Sequence, residues 1–150
     1  MDTTGKLEWL YDRTLISDVL HRFAQNLDTK HWQDWLDLFT EDGVLELPGN
    51  HKNKTVLQAD GGPKGLMAIH GTHHMSSNHR IDITGDSART NSYVQAMHVV
   101  EPDDEAGDWM VGGWYDHDLR RTADGWKIAR VRLTTVWRHG KFPGFGHAHT

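Results

Sequence analysis

The way the second half of this chain is punctuated narrows its fold more than any other feature. "HHMSSNHRIDIT", "ARTNSYVQAMHVV", "WMVGGWYDHDLRR" and "WKIARVRLTTVWRHG" are long segments rich in β-branched and aromatic residues, joined by "GDS", "EPDDEAGD" and "TADG". Parallel neighbours need a crossover of about a dozen residues or more, so connections this short make the four segments an antiparallel meander. Ahead of them the period changes. From Leu7 to Leu27 the apolar residues Ile16, Val19, Leu20, Phe23 and Leu27 recur at three and four, which predicts one amphipathic helix. Trp32, Trp35, Leu36 and Phe39 keep that spacing and predict a second helix, with Thr29 or Asp28 to cap its start and the glycine of "TEDG" to stop it. "VLEL" follows as a strand. Residues 48–62, "PGNHKNKTVLQADGG", read as a mobile loop able to act as a lid, and Pro63 to His70 as a short helix. Helices first and a curved antiparallel sheet after is an α+β order, and the expectation is one domain over 1–150 with helices on one face of the sheet. The tail 139–150, ending "KFPGFGHAHT", closes over a pocket mouth, touches a neighbouring subunit, or frays.

Composition removes several function classes. The 16 Lys+Arg against 21 Asp+Glu leave a net charge of −5, with no basic footprint for nucleic acid and no polybasic patch for a membrane. No apolar run approaches the length that spans a bilayer, and "MDTTGKLEWL" lacks the basic start and apolar centre of a signal peptide, so a cytoplasmic protein is expected. The chain has no cysteine, which excludes disulfides, thiolate nucleophiles and Cys-ligated zinc, and no G-x-S-x-G. Twelve histidines remain, but neighbours such as His73 and His74 on a strand point to opposite faces, and no helical H-x-x-x-H occurs. Only His147 and His149 in the tail form a pair able to take a transition metal adventitiously. Neither a metal nor a cofactor is expected.

The chemistry-bearing stretch is "GTHHMSSNHRID". A period of two puts His74, Ser76, Asn78, Arg80 and Asp82 on one face and His73, Met75, Ser77, His79, Ile81 and Ile83 on the other, and the second face looks more like core. His74 therefore reaches an interior only if the polar face lines a cavity near its mouth, or if a bulge re-aims it. Asp28, four residues after Ala24, points from the edge of the helical stripe toward the interior, or else caps the second helix. A carboxylate beside a histidine is a working pair: it accepts from one ring nitrogen, so the other is free to remove a proton from carbon. Among the aromatics, Trp109, Trp114, Tyr115, Trp126 and Trp137 lie in the sheet segments and most serve as core. Trp114, with Gly112 and Asp116 as strand mates, is expected on an open pocket wall, with Tyr115 behind it.

Three stretches, "HRFAQNLDTKHWQDWLDLFTEDGVLEL", "HHMSSNHRIDITGDSART" and "GGWYDHDLRRTADGWKIARVRL", together resemble the SnoaL-like branch of the nuclear transport factor 2-like superfamily over about residues 8–138. Within it the likeness is to scytalone dehydratase, bile-acid 7α-dehydratase and the lindane dehydrochlorinase. The resemblance implies a cone-shaped α+β barrel, a strongly bent sheet around helices with a ligand cavity at its open end. It implies Asp28 and His74 as the catalytic pair and His98, in "VQAMHVV", as a second pocket histidine. Where the bile-acid enzyme carries a tyrosine this chain has Phe23, so a phenolic acid is missing there. The expected function is a cofactor-independent lyase of the dehydratase type, or an isomerase, acting on a hydrophobic small molecule. His74 is then the general base and acid, Asp28 its orienter, and Asn78, His98, Trp114, Asp116 and Phe23 bind substrate. The alternatives are a noncatalytic module that binds a small molecule or a partner with the pair unaligned, and a polyketide cyclase or ketosteroid-type isomerase. The resemblance further implies a homo-oligomer, dimer or trimer, assembled through the outer face of the sheet.

Overall fold

The computed structural model describes residues 1–146. Helix α1 (Thr3–Asp28) begins earlier than the apolar stripe, because the Asp2 carboxylate caps it by accepting from Gly5 N at 2.8 Å. Leu7, Leu10 and Tyr11 of its first turns stay exposed, while Ile16, Val19, Leu20, Phe23, Ala24 and Leu27 are buried, as their spacing requires. Helix α2 (Trp32–Leu36) is shorter than expected, since Phe39 already opens β1 (Phe39–Leu47). "TEDG" is an irregularity in that strand instead of a helix stop, and an added Cβ at Gly43 would stand 2.9 Å from the Thr40 carbonyl. Neither expected cap serves α2. Its N-cap is His31, whose side chain does not cap the helix, and the Thr29 hydroxyl donates back to Gln25 O at the end of α1. Asp28 is thereby released for other partners.

The segment 48–62, expected as a mobile loop, is ordered into a strand and a helix. A turn at Pro48–Gly49 joins β1 to β2 (Asn50–Asn53), and Asn53 Oδ1 accepts from Val56 N at 2.9 Å to start α3 (Lys54–Asp60). Gly61, with φ of 79°, ends that helix in the left-handed region, and Leu57 inserts into the core. A single turn, α4 (Lys64–Met67), stands inside the predicted 63–70 helix.

The four β-rich segments become β3 (Gly71–Thr84), β4 (Ser87–Val99), β5 (Trp109–Thr122) and β6 (Gly125–Gly140), an antiparallel meander with one 3-10 turn at Glu105–Gly107. Strand β1 joins it by pairing parallel to β6, which gives a mixed sheet in the order β2-β1-β6-β5-β4-β3. The sheet does not close into a barrel: β2 and β3 are its edges. The helices pack on one face, and Ala88, Val94, Ala96, Val111, Leu119, Ile128, Val131 and Leu133 meet them there in one core. This is the α+β cone arrangement, and α1 runs along β3 at one edge.

Candidate active site

The site begins with a fault in β3. From Thr72 to Ser77 the strand alternates regularly, with Thr72, His74 and Ser76 turned toward the helices and His73, Met75 and Ser77 exposed. Pairing with β4 then jumps from Ser77↔Tyr93 to Arg80↔Asn91, three residues against two, and Asn78 takes a φ of 55°. This is a one-residue bulge, and asparagine is among the few residues that accept the left-handed region without large strain. Beyond it the alternation has changed phase, so His79, Ile81 and Ile83 face inward. A strict period of two would keep His74 and His79 on opposite faces; the bulge puts both against α1. Asn78 itself is exposed and does not line the interior, contrary to its expected place in substrate binding.

Asp28, at the last position of α1, meets His74 through both carboxylate oxygens. The His74 backbone N–H donates to Oδ2 at 2.8 Å, while His74 Nδ1 lies 2.7 Å and the Thr72 hydroxyl 2.9 Å from Oδ1. An ionised carboxylate only accepts, so Nδ1 carries the proton and Nε2 keeps its lone pair for a substrate. Burial pushes the Asp28 carboxyl up, but the bonds and charge of His74 and the Thr72 hydroxyl outweigh it, leaving Asp28 below the usual carboxylate range. The His74 side chain is 4 % exposed and that of Asp28 20 %, so the pair works out of bulk water.

His98 stands beside this pair. Its ring is edge-on to His74 at 5.8 Å and stacked on Trp109 at 3.3 Å. Burial, and then the neighbouring His74, lower its pKa to about 4, so it is a neutral imidazole at pH 7. Phe23 lies deeper, between Trp35, Tyr115 and His117 at ring separations of 5.4–5.6 Å. Tyr115 brings a phenol from β5 against Phe23. Burial and the Asp28 charge hold that phenol protonated. Trp114 and Asp116 are placed otherwise than expected. Because Tyr115 and His117 point inward, Trp114 and Asp116 occupy the opposite face, paired with Tyr93 and Asn91, and Asp116 accepts from Asn91 Nδ2 at 2.9 Å.

Several neighbours escaped sequence reasoning. Thr72 shares the face of His74 two residues earlier, a signal that was available. Trp109, Arg138 and Phe142 depend on the path of the tail, for which no local pattern exists. Phe142 packs edge-on to Trp109 at 5.2 Å and against Phe145 at 4.8 Å, and the Arg138 guanidinium lies 4.9 Å from its ring. Asn50 Nδ2 donates to Phe145 O at 2.7 Å, which ties residues 142–145 over the Trp109–His98 stack. A second histidine centre lies along α1: His79 bonds Ser17 Oγ at 2.8 Å and Ser76 Oγ at 2.9 Å, with the His21 ring 4.7 Å away. Burial, then His21 and Arg13, hold His79 below the usual histidine range.

Two surface hollows of about 330 and 390 Å³ lie away from the pair. One is formed around Arg80, Arg89 and Asp116, the other around Asp42, Arg120 and Lys127, and both are open to solvent. Among the described residues no group of three or more His, Asp or Glu is placed to hold a metal ion, and no helix is long and apolar enough to cross a membrane. His147 and His149 lie outside the described residues.

Residues 8–132 match the SnoaL-like domain profile. No curated protein matches the chain. Among solved structures, one from Novosphingobium aromaticivorans, provisionally named a scytalone dehydratase, superposes with a TM-score of 0.80 at 22 % identity, over 93 % of this chain and 94 % of that one. LinA superposes at 0.79 with 15 % identity over 95 % and 96 %, and a hexachlorocyclohexane dehydrochlorinase (LinA) type 2 at 0.72 with 15 % over 89 % and 91 %. The Kfla4162 protein of Kribbella flavida is 27 % identical over 87 % and 95 %, with a TM-score of 0.76. At 15–22 % identity the enzymes among them share the fold, and the profile match spans most of the sequence: the chain belongs to the SnoaL-like branch of the nuclear transport factor 2-like superfamily.

Proposed function

We propose that this protein is a cofactor-independent lyase of the dehydratase type, or an isomerase, acting on a hydrophobic small molecule through His74 and Asp28. The observation that carries the reading is the double attachment of Asp28. One carboxylate oxygen holds the His74 backbone and the other its Nδ1, which sets tautomer and ring orientation together. In elimination, His74 Nε2 removes a proton from carbon next to a carbonyl, and the C–H electrons become the new double bond as the adjacent C–O bond breaks. The imidazolium returns its proton to the departing hydroxide as water, so histidine ends neutral and loss is syn. Asp28 stabilises the imidazolium while it lasts, and a pair so poorly exposed strengthens that attraction. Returning the proton to a different carbon gives isomerisation with the same groups. Structures of this fold named for dehydratase and dehydrochlorinase activity support elimination.

The test reads proton abstraction without needing the natural substrate. Cyclic β-hydroxy ketones are incubated in D₂O and followed by NMR for deuterium entering the α-position and for loss of water. General-base catalysis is worth about 10²- to 10⁴-fold, so His74→Ala should lower exchange by that factor. Exchange by His74→Ala at the wild-type rate would remove His74 as the base. Exchange without water loss or hexachlorocyclohexane dechlorination would favour the isomerase branch.

A further inference from the structure

Below the His74 pair, the interior holds polar groups that none of the described residues partners. Thr90 and Ser92 lie on the inward face of β4, directly opposite His117 and Tyr115 of β5. The hydroxyls of Thr90 and Ser92, both ring nitrogens of His117 and Nε1 of Trp35 have no hydrogen-bond partner among the described residues, and all four residues are at most 4 % exposed. They approach Phe23 from two sides, Trp35 at 5.5 Å and His117 at 5.6 Å between rings. Buried polar groups are almost always paired, and each one left unpaired destabilises a fold. Thr90, Ser92 and His117 on neighbouring strands, with Trp35 of α2 across the Phe23 ring from them, are a cost that the chain carries where apolar residues would pack more stably.

We infer that Thr90, Ser92, His117 and Trp35 form a polar subsite for the oxygen substituents of an uncharged cyclic hydroxy or keto compound. The inference rests on the lyase or isomerase reading for taking that compound as the substrate. The polarity fits the ligand class. Trp35 only donates, the hydroxyls donate or accept, and neutral His117 offers one N–H and one lone pair, so carbonyl and hydroxyl groups are both satisfied. Burial, and then His79, lower the pKa of His117 to about 3, so the patch has no charge to hold an anion. Ala96, the partner of His74 on β4, is four residues from Ser92, about 13 Å along a strand, so the bound oxygen lies across the ring system from the reacting carbon. Small apolar residues, Val94 and Ala96, separate the two ends.

The experiment uses resorcinol, which is neutral and carries two hydroxyls, with toluene as its apolar counterpart. Binding is followed by calorimetry and by the ¹⁵N shifts of the His117 ring. Resorcinol should move both His117 nitrogens and bind at least about tenfold tighter than toluene, since a site built for a hydroxyl rejects the analogue lacking it. Thr90→Val with Ser92→Ala should erase that preference while the unliganded protein melts at the same temperature or higher. His74→Ala should bind resorcinol normally although it loses deuterium exchange, which separates failure of the subsite from failure of the catalytic reading. Equal affinity for resorcinol and toluene would overturn the inference. So would a lower melting temperature in the double variant, since the hydroxyls would then be holding internal water as part of the fold.

Discussion

Replacing Asp28 by asparagine tests the pair more sharply than removing it, because the surroundings dictate which way the amide turns. Asp28 accepts at Oδ2 from the His74 backbone N–H, a group that can only donate. The single amide oxygen must therefore take the Oδ2 position. The NH₂ is left where Oδ1 was, facing His74 Nδ1 and the Thr72 hydroxyl. Thr72 can rotate to accept. His74 can do so only by moving its ring proton to Nε2, which turns the proposed base into a donor. Amidation of a triad aspartate costs about 10⁴-fold by this route, and a loss of about 10³- to 10⁴-fold is expected here, or roughly 4–5.5 kcal/mol of barrier. Stability should change far less. All three hydrogen bonds survive in neutral form, and losing charge assistance from them costs about 1–2 kcal/mol, or roughly 2–8 °C in Tm for a chain of this size.

The assay is ¹⁵N spectroscopy of the imidazoles above pH 7, which reads the tautomer directly, together with exchange kinetics and melting. Wild type should show His74 with its proton on Nδ1 and Asp28→Asn with it on Nε2. The double variant with His74→Ala should be no slower than His74→Ala alone, since an orienter has nothing to orient once the base is gone. An unchanged tautomer with full activity in Asp28→Asn, or additive losses in the double variant, would refute the reasoning.

Asn78→Gly should leave melting and rate nearly unchanged, whereas Asn78→Val forces a β-branched residue to a φ of 55° and should cost about 1–2 kcal/mol while misplacing His74; equal melting of the two variants would remove the bulge from the account. Folded His98 and His117 resist protonation to about pH 4 and 3, whereas the unfolded chain binds those protons below about 6.5. Stability is therefore full above pH 6.5 and falls on acidification by about 1.4 kcal/mol per pH unit for each, a slope that His117→Leu should reduce in melts between pH 7 and 4.5. The lowered Asp28 adds to the acid loss, since its contribution disappears as pH falls through its folded value. Activity should survive prolonged chelation, and a loss restored by zinc or manganese would replace base catalysis by a histidine-ligated metal. Met75 and Tyr93 are exposed beside Trp114 on the outer sheet face, where self-association is expected; a clean monomer in light scattering at micromolar concentration would contradict it.

What could be read from the sequence divides along a physical line. Helix α1 and the meander are periodic over many residues, and each period reports its own burial. The parallel union of β1 with β6 has no local signature, because it joins residues more than eighty positions apart. Helix α3 carries only Val56, Leu57 and Ala59 as apolar residues, too few for a stripe, although Asn53 ahead of it and Gly61 behind it are the punctuation of a capped helix. Gly112, two positions from Trp114, suggests open space, but the Trp137 ring lies over that glycine from the next strand, and the space is outside the sheet. The His74–Asp28 pair is harder to read. Asp28 follows from where α1 ends, but His74 and His79 are five apart, an odd separation that a regular strand sends to opposite faces. Only a residue inserted between them can turn both toward one helix, and among Met75, Ser76, Ser77 and Asn78 the asparagine is the one suited to a left-handed φ. The residue that decides "HHMSSNHR" is therefore Asn78, through its backbone and not as a binding group: it lets Asp28 and Ser17, eleven positions apart on α1, each hold a histidine.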